Sequence, residues 1–431
     1  MSTEKDGASD TLEQIIRRLN PNVPAGARSD AMPRIPRDSG AVRQMTTYLR
    51  ADPFGKVLLT GHIGVGKSTE LLRLANELAF ERFVVRCSVA DSLGVQNVDT
   101  FTLLVVILEA AIRSWLADLG PMPSGLVEEL VQKIRDRQDV SEALTRTELA
   151  ARYYLGYLES GDELAAVCAE WIRSLAVQYV ANADLSSTKL NYVARACETI
   201  LKEMEHRAAR PVLVVIDDVD KVTDPALQQS LFIDRAMAWL RLPCAVIATL
   251  PFDAYFRERS AEIDELWGQV LVLDPLPVPD TDLDQEPYWL MLREAGAHEL
   301  FSAGQALFIA QASGGLPRTF VHFCSTCALY ALQAKETQVL NSHISLVLQD
   351  MANKWRGRLT DADYEAMLKV LESEGANVRD AVQCLRDGIL IRDGSQPPEK
   401  QYRIPFWAQP LLDAYRKRTR GPKPAASQSP R

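Results

Sequence analysis

The residues Gly61-His62-Ile63-Gly64-Val65-Gly66-Lys67-Ser68 carry the densest chemical signal in the chain. They complete the spacing G-x-x-x-x-G-K-[ST] of a phosphate-binding loop. Glycines at 61 and 66 let the backbone bend until its N–H groups point inward at an anion. A helix opening at the end of the loop adds its positive N-terminal end to that field. Lys67 can then reach β- and γ-phosphates as a point charge, and Ser68 offers a hydroxyl to Mg²⁺. Thr69 closes the set, so the backbone of 61–69 is the expected binding surface for ATP. The intermediate loop positions usually point outward, so the His62 side chain is given no chemistry of its own.

Such a loop needs a carboxylate at the end of a neighbouring buried strand. Val214-Val215-Ile216-Asp217-Asp218 has that form. Asp217 is expected to hold the metal, and Asp218 to orient or deprotonate an attacking water. In isolation two aspartates after a core strand also read as helix caps; Asp220 is expected to cap the helix that follows.

These residues must be positioned by strands and helices that the sequence also announces. Val57-Leu58-Leu59-Thr60 reads as the strand before the loop, and 69–78 as the helix after it, apolar at helical spacing. Further strands are expected at 83–89, 212–216, 244–250 and 270–273. Continuous apolar strands separated by helices imply a parallel sheet covered on both faces. Helices are expected at 10–19, 39–49 and 225–240, with a long helical insertion at about 91–210 made of segments 98–119, 126–137, 144–159, 163–179 and 189–207. Beyond Pro275-Leu276-Pro277 the chain is all helix to about 355. Residues 358–415 then read as two helices followed by the apolar stretches Gly388-Ile389-Leu390-Ile391 and Tyr402-Arg403-Ile404 around a polar turn, the pattern of a winged helix-turn-helix.

The expected organisation is an N-terminal arm at 1–34, an ATPase core at 35–275, a helical lid at 276–355, a winged helix at 356–415 and a basic, unstructured tail at 416–431. At 431 residues the chain exceeds one ordinary core. Its net charge of −9 argues against coating nucleic acid non-specifically. No run has the length of a membrane span: the apolar segment 101–112 is interrupted by Glu109 and reads as a buried helix. The N-terminal residues lack a signal peptide's pattern. The seven cysteines, odd in number and scattered, read as reduced thiols of a cytoplasmic protein. Cys324-Ser325-Thr326-Cys327 has C-x-x-C spacing, but a zinc site needs four ligands and no second pair exists. Small buried helix residues are the better reading there.

The order of phosphate loop, acidic strand end, a strand ending in Thr249, and Gly314-Gly315-Leu316-Pro317-Arg318 opening a helix resembles AAA+-type and STAND-type ATPases over residues 35–415. Gly61-His62 with Lys67-Ser68-Thr69-Glu70-Leu71 resembles the loop of bacterial ATPases of this group, several of them linked to conflict or signalling systems. The resemblance implies an α/β P-loop core, a lid and a winged helix. It implies that Thr249 stands at the sensor-1 place, facing the γ-phosphate or attacking water; the alternative is a strand-end threonine. Arg318 matches the sensor-2 place, through which a lid feels the γ-phosphate. As a plain surface residue it would sit unfavourably at a helix N-terminus. The segment Arg34-Ile35-Pro36-Arg37-Asp38 resembles the box that flanks the adenine, and Arg257 and Arg259 match the region that supplies an arginine finger to a neighbouring copy; the alternative for these two is an ordinary solvated helix end. Asp218 departs from the usual glutamate, and a shorter acid suits slow hydrolysis.

Two outputs follow from the resemblance. One is a slow ATP-driven switch acting on a separately encoded effector or sensor protein, as a monomer or homo-oligomer, without a membrane. The other is a DNA-binding or DNA-remodelling ATPase. In the second, the winged helix would act with the basic tail residues Arg416, Lys417, Arg418 and Arg420.

Overall fold

The apolar runs form the strands they announce. In the computed structural model, which describes residues 12–23, 35, 37, 39–92, 98–123, 125–126, 187–278 and 287–420, five parallel strands make one sheet. They are β1 (Lys56–Thr60), β2 (Phe83–Ser88), β3 (Val212–Asp217), β4 (Ala245–Thr249) and β5 (Gln269–Val272), in the order β2-β3-β4-β1-β5. The register pairs Leu59 with Thr249 across β1 and β4, and Ile216 with Ala248 across β3 and β4. β4 is buried along its whole length, as are the last four residues of β1 and the first five of β3. That pattern belongs to strands covered on both faces. Because all five run the same way, the ends that carry Thr60, Asp217 and Thr249 share one edge of the sheet.

The chain divides into two compact units. The sheet unit comprises Ser39–Thr60 with Glu70–Val272. The other comprises Met1–Asp38, Gly61–Thr69 and Leu273–Arg431, so the phosphate loop clusters with the C-terminal half of the chain.

In the sheet unit, helix Thr100–Asp118 packs against β2 and against helix Ser187–Ala208. It is the one described helix long and apolar enough to cross a membrane, and 78% of its apolar window is buried inside the protein. Its acid, Glu109, is buried and paired with Arg113 at 2.8 Å. The expected helices at 126–137, 144–159 and 163–179 lie outside the described residues, Leu126 excepted. The single helix expected at 225–240 is instead three pieces, Pro225–Gln229, a wider turn Ser230–Asp234, and Met237–Leu240. The break lets Leu231 and Phe232 face the core while the Leu231 carbonyl accepts the Trp239 indole N–H at 2.9 Å. Asp224, rather than Asp220, caps the first piece, accepting from the Ala226 N–H at 2.8 Å.

In the other unit a helix covers 12–18. Helices Pro287–Glu294, Ala303–Ala312, Pro317–Ala334 and Asn341–Arg356 follow the sheet strands in sequence, then Asp361–Glu372 and Val382–Arg386. A short antiparallel hairpin, β6 (Ile391–Arg392) with β7 (Tyr402–Arg403), comes next. The last helix, Gln409–Arg420, runs past 415, so the first basic residues of the expected unstructured tail are helical.

Trp239 is fully buried, with the Trp267 ring edge-on at 4.5 Å. Replacing it with alanine leaves a large cavity, and the Trp239→Ala protein is expected to lose about 3–5 kcal/mol of stability. Urea unfolding would show this as a lower midpoint at unchanged slope.

Candidate nucleotide site

The phosphate loop is a bent backbone whose carbonyls are tied down from several directions. Gly61 and Gly64 have φ of 147° and 81°, values that favour glycine. A β-carbon at Gly61 would meet the Leu273 carbonyl oxygen at 2.5 Å, and one at Gly64 would meet the Arg318 β-carbon at 2.7 Å. Lys67 is buried at the start of helix Lys67–Leu78, and its ammonium donates to the carbonyls of Gly61 at 2.9 Å and His62 at 3.1 Å. Ser68 and Thr69 occupy the next two helix positions and are half-buried. Ile63 is exposed and Val65 fully buried.

Arg318 is brought to this loop. Its backbone N–H donates to the Gly64 carbonyl at 3.1 Å, and its side-chain stem passes within 3.3–3.5 Å of where a Gly64 β-carbon would stand. Pro317 opens the helix that carries it, as proline suits a first helical position. Arg37 also converges here. Its guanidinium donates to the Val65 carbonyl at 2.7 Å and to the Asp274 carbonyl. Only Ile35 and Arg37 of the expected adenine-flanking box belong to the described residues; Arg34 and Pro36 lie outside them. The box does supply a loop contact, but through Arg37, which the sequence marked only as part of a longer segment.

His62 corrects the sequence reading. Its side chain does not point outward: it is 1% exposed. The Nε2 atom accepts the Arg392 backbone N–H at 2.8 Å, so Nδ1 carries the proton and donates to the Leu385 carbonyl at 3.0 Å. The imidazole thus joins the phosphate loop to the end of helix Val382–Arg386 and to β6. Around it, Gly394 donates its N–H to the Asp274 carboxylate at 2.8 Å. The buried Asp393 carboxylate accepts from Arg403 at 3.1 Å, and Arg403 donates onward to the Gly314 carbonyl at 3.1 Å. No local pattern in the sequence distinguishes His62 from an exposed loop histidine, because both partners lie more than 300 positions away.

The acidic strand end belongs to the sheet unit. Asp217, Asp218 and Asp220 bring carboxylate oxygens within 4.8 Å of one another, a donor set chemically suited to a hard divalent cation. Asp217 also accepts the Asp218 N–H at 2.8 Å. Asp218 adopts the left-handed backbone at φ 68°, and its carboxylate is held by the Ser88 hydroxyl at 2.8 Å and the Lys221 ammonium at 2.6 Å. Thr249 is fully buried at the end of β4, the strand lying between β1 and β3, and its hydroxyl oxygen accepts the Asp220 N–H at 3.2 Å. The structure therefore gathers Thr249 with the aspartates, and Arg318 with the loop.

Both candidate finger arginines are engaged within their own unit. Arg257 pairs with buried Asp253 at 2.7 Å, and Arg259 with Asp234 at 2.9 Å and Glu262 at 2.5 Å. Cys324 and Cys327 are buried inside helix Pro317–Ala334, where burial pushes the Cys324 thiol well up and that of Cys327 to about 12. Both thiols therefore keep their protons at neutral pH, as small buried helix residues do.

No known family model matches the chain, and no curated protein matches it significantly. Among solved structures it is similar to Cdc6p from Pyrobaculum aerophilum, with 14% identity, 93% of this chain and 89% of that chain covered, and a TM-score of 0.43. It is also similar to the Aeropyrum pernix ORC1 protein in complex with DNA, at 12% identity, coverages of 91% and 95%, and a TM-score of 0.40. For the RuvB Holliday junction branch migration motor of Thermotoga maritima the values are 13%, 87%, 95% and 0.37. At overlaps this low, the reading of the site rests on the chain's own loop, strand order and acidic strand end. These give an α/β fold with a parallel sheet of the P-loop kind.

His62 is kept neutral: burial, with the Lys67 charge adding to it, pulls its pKa down to about 3, against the opposing bond to Leu385. The unfolded chain accepts a proton near pH 6.5 that the folded chain refuses. This contribution is therefore complete above pH 6.5 and lost as pH falls toward 3, at up to about 1.4 kcal/mol per unit. Between pH 6.5 and 5 the native protein should lose about 2 kcal/mol more stability than His62→Gln, as measured by denaturant titrations at each pH.

Proposed function

We propose that the chain binds ATP with Mg²⁺ on the loop 61–69 and hydrolyses it, as an ATPase of AAA+ type. The observation that carries this reading is a complete phosphate loop directly after β1, in a sheet where β4 separates β1 from an acid-ended β3. Lys67 leaves its loop carbonyls for the β- and γ-phosphate oxygens, while the loop's N–H groups and the helix end hold the same anion. Ser68 and Asp217 would hold the Mg²⁺, which neutralises charge building on the phosphates. Asp218 orients the attacking water, and its bonds to Ser88 and Lys221 fix the carboxylate for that task. Thr249 presents a hydroxyl at the sensor-1 place, and Arg318 reports the γ-phosphate to the helix it opens. The free thiols of the described cysteines support a reducing compartment such as the cytoplasm.

Two outputs compete. The first is DNA handling through residues 361–403, whose helix, helix and hairpin order supports a winged helix. The solved structures named above include a protein in complex with DNA and a branch migration motor, but so low an overlap adds no weight to this output. The second is a STAND-type switch that passes its nucleotide state to another protein or another copy. It is supported by the bonds between the phosphate loop and the C-terminal hairpin. Of the basic residues at the end of the chain, Arg416 approaches Asp413 at 3.9 Å and Arg418 pairs with Asp361 at 2.5 Å. That charge is partly neutralised within the protein, and phosphate contacts dominate DNA affinity.

Calorimetry is expected to show Mg²⁺-dependent ATP binding that Lys67→Ala abolishes. Asp218→Asn should retain binding while phosphate release falls at least about tenfold; unchanged release would remove Asp218 from the chemistry. Fluorescence anisotropy with duplex DNA separates the two outputs. Tight, ATP-dependent and salt-sensitive binding selects DNA handling, and its absence selects the switch.

A further inference from the structure

The phosphate loop has a side-chain link that its own chemistry does not require. His62 is the residue after the first glycine; its carbonyl accepts the Lys67 ammonium while its ring is bonded at both nitrogens to the C-terminal module. One residue therefore touches the phosphate-seeking cation through its backbone and the hairpin through its imidazole. Neither ring bond is to a flexible side chain. Both partners are backbone atoms, the Leu385 carbonyl and the Arg392 N–H, so the ring registers the position of the main chain at 385–392. That stretch is itself fixed. Asp393 and Arg403 brace the hairpin on Gly314, and Gly394 is bonded to Asp274, whose carbonyl also holds Arg37. A move of the hairpin thus pulls on the loop peptide between Gly61 and His62.

We infer that His62 is a positioning residue through which the segment 385–392 sets the shape of the phosphate loop and so its affinity for ATP. The inference deepens the ATPase reading and rests on it. Binding linkage makes the effect reciprocal. If a docked hairpin holds the loop in the shape that receives phosphates, bound ATP must hold the hairpin docked by the same factor. Two well-aligned hydrogen bonds to a buried ring set that factor at about tenfold.

The test uses the full chain and ATP with Mg²⁺. Calorimetry gives the affinity of wild type, His62→Ala and His62→Gln, and hydrogen exchange follows the Arg392 amide with and without ATP. The expected result is about tenfold weaker binding in His62→Ala. ATP should slow exchange at Arg392 in wild type and leave it unchanged in His62→Ala saturated with ATP. Glutamine, whose amide oxygen can still accept the Arg392 N–H, should restore part of both effects. A purely structural histidine would lower stability without uncoupling ATP from Arg392. Affinity equal to wild type, or tighter, in both variants overturns the inference, as does equal ATP protection of Arg392 in all three proteins. Should His62→Ala fail to fold, His62→Gln alone decides, by whether the ATP effect at Arg392 is reduced. If wild type itself ignores ATP, the ATPase reading falls and takes the inference with it. A wild type that binds ATP beside indifferent variants removes only the role given to His62.

Discussion

Backbone carbonyls must find donors when they are buried, and in the loop 61–66 that requirement fixes everything else. The Gly61 and His62 oxygens take the Lys67 ammonium, the Gly64 oxygen takes the Arg318 N–H, and the Val65 oxygen takes Arg37. Each bond sets the tilt of one peptide plane, and a peptide whose oxygen is held one way presents its nitrogen the other way. The loop is thereby preorganised by donors from three separate stretches of sequence. The bonds from Arg318 and Arg37 do not involve the phosphate-seeking Lys67, so the Gly64 and Val65 peptides stay set when it moves to an anion, and dipoles fixed in this way need no reorientation.

The same constraint explains why the C-terminal module sits in one unit with the loop rather than forming a separate body. A hairpin with strands of two residues each cannot hold itself in water. It is tied within itself by the Asp393–Arg403 pair and held from outside by the Gly314 carbonyl, Asp274 and His62. The Asp393 carboxyl is almost fully buried, and a buried pair of this kind costs much when one partner is removed. Its use is to specify where the hairpin lies.

The strands were legible because burial on both faces demands unbroken apolar runs, and Val212-Leu213-Val214-Val215-Ile216 can hardly be read otherwise. The phosphate loop was legible because its chemistry forces residue types at fixed spacing. The helix at 225–240 was not read correctly. Its apolar positions fit one helical period, yet seating Phe232 beside Trp239 and Trp267 requires a wider turn at Ser230–Asp234. The side-chain roles of His62 and Arg37 were missed for a different reason. Each acts through main-chain atoms far along the chain, and a backbone carbonyl or N–H leaves no trace in the identity of the residue that bears it. Asp224 displaced Asp220 as a helix cap because the chain first makes a tight turn at Val219–Lys221.

Asp218 adopts a left-handed backbone that aspartate and asparagine tolerate better than longer side chains do. The short second acid is therefore a matter of conformation as much as of reach. A glutamate introduced there would meet the main-chain penalty of the left-handed conformation. The bend at 218 thus ties the length of the second acid to the path of the main chain as it leaves β3.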